Sequence, residues 1–243
     1  MDQLDSLLRQ YADPKRAELS QRYFKTGKGE YAEGDVFVGV AVPDQRKIAR
    51  AVGNDLSMRE IKLLLNSKIH EKRLIALFVL VERYRMAKRE ETVTNRRRLF
   101  NFYLQNSGRI DNWDLVDSSA PYIVGDFLLD KNPFLLYSFA KSQNMWKRRI
   151  SIISTLAFVK AGKLGDPLRI SALLLEDRLD LIHKAVGWVL REVGKKNLPR
   201  LEEFIRDHYG SIPRTTLRYA IERFPERKRL AYLNGSFDRD SRN

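Results

Sequence analysis

Trp113 and Asp117 are the residues of this chain whose types and spacing speak most directly of chemistry. They lie in Asp111-Asn112-Trp113-Asp114-Leu115-Val116-Asp117-Ser118-Ser119-Ala120-Pro121, near the start of an expected helix. Four residues apart on a helix, two side chains sit one above the other. An indole face and a carboxylate both attract positive charge, the first through its ring quadrupole. The chain around them carries a net charge of +14, with 45 Lys and Arg against 31 Asp and Glu. Such an excess favours a polyanion as partner. A cationic, damaged base in DNA meets both conditions. Asp117 is not needed for the helix itself, because Asp111 or Asn112 can cap it and Asp114 supplies charge to the first turn. Trp113 lies at the edge of the apolar stripe Leu115, Val116, Ser119, Ala120 and Ile123, so core packing and a surface role are both open to it.

Trp188 and Arg149 are the next candidates. Ile182, Ala185, Val186, Val189, Leu190 and Val193 form a buried helical stripe. At 100° per residue, Trp188 falls roughly 130° from the centre of that stripe. It follows Gly187, where a backbone can approach closely. Arg149 opens the very apolar run Ile150 to Val159, and two readings of it stand side by side: a structural ion pair, with Asp117 as a candidate partner, or a phosphate contact.

Several chemistries lack their residues. There is no cysteine, which removes disulfides, thiolate metal sites and thiol nucleophiles together. His70, His183 and His208 form no i, i+4 pair, so a helical zinc motif is missing. Lys25-Thr26-Gly27-Lys28-Gly29 lacks the spacing of a phosphate-binding loop, and no serine sits in a nucleophile elbow. No metal and no organic cofactor is expected. The start, Met1-Asp2-Gln3-Leu4-Asp5, is too polar for a signal peptide, and no apolar run approaches the roughly 20 residues that span a bilayer. The expectation is a soluble protein of the bacterial cytoplasm, with no membrane contact.

The elements that must position these residues read as helix after helix. Stretches begin at Leu4 and Pro14, and the Gly-rich, charged segment Lys25 to Asp35 reads as a long loop. Pro43 opens a helix, and Ser57 with Glu60 forms a capping box. Further helices are expected near 70–87, 91–106, 112–124, 133–142, 146–161, 167–175, 179–193, 198–209 and 213–224. Val36 to Val40 looks strand-like but has no partner, and the tail from about residue 234 is polar and expected to fray. A motif recurs at Ile69, Ile110, Met145, Ile182 and Ile212: an apolar residue, then charged or polar ones, then an apolar helix. Intervals of 30 to 41 residues built from helix pairs signal a HEAT-like α-solenoid. The fold class expected is all-α, one domain over 1–243, with a concave basic groove. Lys and Arg at equivalent helix starts would then face one side.

These motifs together resemble the AlkD-type DNA alkylation repair proteins, a family of HEAT-like-repeat alkylpurine DNA glycosylases. The resemblance runs through Tyr23-Phe24-Lys25-Thr26-Gly27-Lys28-Gly29-Glu30-Tyr31, Pro43-Asp44-Gln45-Arg46-Lys47 and Asn112 to Asp117. It continues through Trp146-Lys147-Arg148-Arg149, His183 to Glu192 and Pro213-Arg214-Thr215. It implies an active-site set of two tryptophans, an aspartate and an arginine, falling on Trp113, Trp188, Asp117 and Arg149. Arg149 is preferred to Arg148 because the family's arginine stands three residues after the motif tryptophan, here Trp146. The resemblance implies excision of cationic N3- and N7-alkylated purines from duplex DNA without drawing the base into a pocket. Arg148, Lys184, Arg191, Arg214, Thr215 and Arg218 are the expected DNA contacts, and a monomer suffices. The competing reading is a non-catalytic module that binds structured DNA or an acidic protein partner. Such a binder would tolerate loss of Asp117.

Overall fold

The computed structural model describes residues 2–237. Its fold is all-α and of the helical-repeat class. The chain packs as two compact units, Met1–Phe127 and Leu128–Asn243. Among the described residues no helix is long and apolar enough to cross a membrane.

The first unit holds α1 (Asp2–Tyr11), α2 (Pro14–Tyr23), α3 (Val42–Val52), α4 (Met58–Leu65), α5 (His70–Arg89), α6 (Val93–Gln105) and α7 (Trp113–Asp117), and the chain leaves it through the single turn α8 (Asp126–Leu128). Helix α5 is its axis. Leu74 to Val81 are buried without a break, so apolar residues cover the helix all round, as a central helix requires. It packs against α3, α4, α6 and α7. The Ser57–Glu60 capping box is formed, with Ser57 N donating to Glu60 at 2.7 Å and Glu60 N to Ser57 Oγ at 3.2 Å.

The second unit holds α9 (Phe134–Ala140), α10 (Met145–Ser154), α11 (Leu156–Lys160), α12 (Gly165–Leu173), α13 (Asp180–Lys196), α14 (Leu198–Asp207), α15 (Arg214–Ala220) and α16 (Glu226–Asn234). Helix α13 packs against α10, α11, α12, α14 and α15. The stripe from Ile182 to Val193 is buried. The recurring motif marks the starts of α5, α7, α10, α13 and α15, so the repeat is physical.

Four expectations change. The helix foreseen over 112–124 stops after Asp117. Pro121 has no N–H to give the Asp117 carbonyl, Ser119 Oγ donates to Leu115 O at 2.5 Å, and the chain continues as one π-helical turn over Pro121–Gly125. The helix foreseen over 146–161 breaks at Thr155, whose Oγ1 donates to Ile152 O at 2.6 Å. Val36 does find a partner: it forms an isolated parallel bridge with Ile69, Val36 N donating to Lys68 O and His70 N to Val36 O. The expected tail from 234 divides. Asn234 ends α16, Gly235 closes it at φ 73°, and Phe237 stacks on Tyr232 with ring centroids 4.6 Å apart. The remainder, 238–243, lies outside the described residues.

Candidate active site

Helix α7 carries Trp113 and Asp117, and its first turn rests on a polar clamp. Asn112, fully buried, caps the helix by accepting from Trp113 N at 2.8 Å. Its side-chain amide donates to Asp35 at 3.4 Å. His70, at the start of α5, is 1% exposed and lies between two carboxylates, Nδ1 at 3.0 Å from Asp35 and Nε2 at 2.8 Å from Asp114. Arg73, one turn on, reaches Asp35 and Asp111 at 2.5 Å each. Glu71 points the other way and accepts from the backbone N–H groups of Val38 and Gly39 at 3.0 and 2.8 Å. The first turn of α5 therefore fixes both the 25–40 segment and α7.

Charge in this clamp is nearly balanced, with Asp35, Asp111 and Asp114 facing Arg73 and a protonated His70. Burial opposes the imidazolium, but hydrogen bonds to Asp114 and Asp35 outweigh it and raise His70 to about 9. Asp35 is also opposed by burial, yet His70 and Arg73 hold its carboxyl below the ordinary range. Asp35, His70 and Asp114 have the side chains of metal ligands, but both ring nitrogens of His70 are used by carboxylates. No group that could hold a metal ion occurs among the described residues.

Trp113 stands on an aromatic column above this clamp. Phe24 stacks on it at 5.1 Å and 7° between ring planes, and Tyr23 meets it edge-on at 6.0 Å. Phe24 stacks in turn on Phe37, and Phe37 on His70 at 4.5 Å. Burial pushes the Tyr31 phenol upward, against a hydrogen bond that its oxygen accepts from the Trp113 indole N–H. Trp113 is half-buried, backed on one face rather than sunk in the core. Asp117, also half-buried, closes α7 beside Tyr103 and adds to the burial that raises that phenol. Tyr103 is itself held by Ser119 at 3.0 Å. The result is an indole and a carboxylate one turn apart, fixed from below and suited to cationic charge.

The second unit holds the other candidates. Trp188 on α13 is half-buried, off the core stripe as its phase predicts. The close approach at Gly187 is made by α15: a Cβ there would lie 2.5 Å from Tyr219 Cβ and 2.7 Å from Thr216 O. Arg149 is 5% exposed and donates to Leu181 O at 2.5 Å, so its guanidinium joins the start of α13 to α10.

The expected DNA contacts fare unevenly. Arg148 is engaged internally: Nε pairs with buried Asp177 at 2.5 Å, and Nη1 donates to Ser142 O at 2.8 Å and Gln143 O at 3.0 Å. Arg191 pairs with Glu222, and Arg214 donates to Leu233 O at 2.9 Å. Lys184 and Thr215 converge on Asp180 at 2.8 and 3.1 Å, and the Lys184 bond leads in holding that carboxyl below its ordinary value. Arg218 is exposed with no acidic partner among the described residues. Of the basic residues near helix starts, Arg148 ties α10 to the segment before α13 and Arg214 ties α15 to α16, while Lys184 pairs within α13. The residues that sequence reasoning missed are Asp35, His70, Asp114, Arg73, Phe24 and Tyr31. Their only sequence signal is position, several standing at a helix start or in the motif-rich 23–35 segment.

The family model described as DNA alkylation repair enzyme matches residues 4–224. A solved structure described as a predicted DNA alkylation repair enzyme from Enterococcus faecalis is similar at TM-score 0.68 and 18% identity, covering 88% of this chain and 97% of its own. AlkD2 from Streptococcus mutans is similar at TM-score 0.52 and 16% identity, covering 90% of this chain and 99% of its own. No curated protein matches the chain in sequence.

Proposed function

The chain belongs to the DNA alkylation repair enzyme family, and from that premise we propose that it is a monofunctional DNA glycosylase. Its substrate is duplex DNA bearing N3- or N7-alkylated purines. The observation that carries the reading is the half-buried Trp113–Asp117 pair on α7, whose first turn is bonded through Asp114 to His70 and whose indole is stacked on Phe24.

Alkylation at N3 or N7 gives the purine a formal positive charge. When the bond from C1′ to the base nitrogen breaks, its electron pair neutralises the leaving purine, so no general acid is needed. Positive charge then builds on the deoxyribose. Asp117 stabilises that charge at close range, where a fixed anion is most effective. Water adds to C1′ and loses its proton toward the same carboxylate. Trp113 offers an aromatic face to that charge, worth about 0.5–2 kcal/mol, and Trp188 is taken as an aromatic contact to the DNA. Arg149 acts by holding the start of α13 and the strand near it. Lys184, Thr215 and Arg218 contact phosphates, so binding weakens with salt. The chemistry calls for no cofactor, and the partner is DNA bound by one copy of the chain.

Incubation of wild-type protein with a duplex carrying one N7-methylguanine tests this. The free base should be released while the strand stays intact until alkali cuts it at the abasic site. Strand scission without alkali would contradict a monofunctional glycosylase. Tight binding without base release would make the protein a non-catalytic DNA-binding module.

A further inference from the structure

A second basic feature lies in the first unit, away from α7. Two adjoining grooves, of about 510 and 450 Å³, share Met58 and Arg98 as walls. They run along the C-terminal half of α5 and the length of α6. Arg83 stands 13 residues beyond His70 on α5, so this groove begins about 20 Å from the clamp at 1.5 Å per residue.

Its walls present Arg83, Arg97, Arg98, Asn95, Asn101 and Gln105, all planar hydrogen-bonding groups with donors. Glu90 is the one carboxylate among the lining residues. Of the carboxylates nearby, Glu82 pairs with Arg85 and Arg89 and Glu60 serves the Ser57 cap, while Asp55 and Glu91 flank lining residues without lining the groove themselves. Neither Arg97 nor Arg98 has an acidic partner among the described residues, and both are exposed on α6. Arg83 is anchored by Gly53 O and Leu56 O. Burial and then the Arg98 charge lower its hold on its proton, so the two guanidiniums face one region. Like charges brought together without an anion form a site that an anion stabilises. Phe102 and Leu99 supply an apolar floor on which a sugar or base can rest.

We propose that this α4–α5–α6 groove is a second nucleic-acid site, binding a phosphodiester backbone through Arg97 and Arg98 with Arg83 behind them. It rests on DNA as the partner of the chain and adds a contact surface separate from the lesion site. Its occupant is either flanking duplex or a single strand, since both carry the same phosphodiester.

Salt titrations of binding, by fluorescence anisotropy, separate the possibilities. The probes are an undamaged 20-base-pair duplex and a 20-nucleotide single strand, with full-length wild type, the double variant Arg97→Ser with Arg98→Ser, and the control Arg9→Ser with Arg50→Ser. The control removes equal charge from exposed arginines outside the groove. Loss of two phosphate contacts lowers the duplex slope by about 1.8, so the fall in affinity between 50 and 200 mM salt shrinks roughly tenfold relative to wild type. For the single strand the slope falls by about 1.4. The probe that shows the loss identifies the occupant. Equal slopes for the groove variant and the control, on both probes, overturn the proposal. Base release from alkylated duplex on the same preparations keeps the two readings apart. Release with unchanged slopes refutes the groove alone, whereas changed slopes without release refute the glycosylase alone.

Discussion

His70 should make the stability of the first unit depend on pH in a window where few proteins respond. In the folded chain it sits 2.8 Å from Asp114 and 3.0 Å from Asp35 and holds its proton to about 9. In the unfolded chain it titrates near its ordinary 6.5. The gap corresponds to about 3 kcal/mol of preferential proton binding by the folded state. Because the folded pKa is the higher one, that stability is fully present below pH 6.5. It is lost progressively as pH rises to about 9 and is gone above it. For a chain of this size about 3 kcal/mol lowers Tm by roughly 6–12 °C. Urea unfolding at pH 6, 7.5, 9 and 10 should show the decline in wild type. His70→Gln keeps one donor for a carboxylate but cannot take the proton, so it should be less stable at pH 6 and lack the decline. Wild-type stability that is level from 6.5 to 9, or an equal decline in His70→Gln, would refute the reasoning.

Gly187→Ala should destabilise by about 1–3 kcal/mol, because its Cβ would press on Tyr219 Cβ and Thr216 O; thermal melts check this. Arg148→Ala should cost about 3 kcal/mol by leaving buried Asp177 unpaired. Its DNA affinity, measured below its melting point, should change little, and a large loss there would restore the phosphate role. Trp188→Ala should lower the base-release rate more than Tm, since the ring is half-buried and off the core stripe; a collapsed Tm with normal release would make it a core residue.

The sequence disclosed what depends on nearest neighbours. The stripe of α13, the Ser57–Glu60 box and the repeated helix starts are local patterns, and each takes its expected form. Trp188 was placed correctly off that stripe by helical phase alone. The end of α7 was also local, since Pro121 falls four residues after Asp117, but the apolar pattern continues through Ile123 and masks it. The clamp under Trp113 was not legible. Asp35, His70 and Asp114 are joined only by the packing of a loop and two helix starts, 35 and 44 residues apart. Arg148 and Arg149 look alike in the motif, and only the burial of Asp177, 29 residues later, shows that Arg148 has a carboxylate partner within the fold.

The central claim is that Asp117 does the chemistry on a cationic lesion. Its direct measurement is the single-turnover rate of base release from a duplex with one N7-methylguanine, wild type beside Asp117→Asn, with affinity for the same duplex measured in parallel. Near-equal affinity is expected, with a rate at least about 100-fold lower for the variant, as loss of one preorganised electrostatic group implies. Equal rates, or a rate loss fully explained by weaker binding, would contradict it.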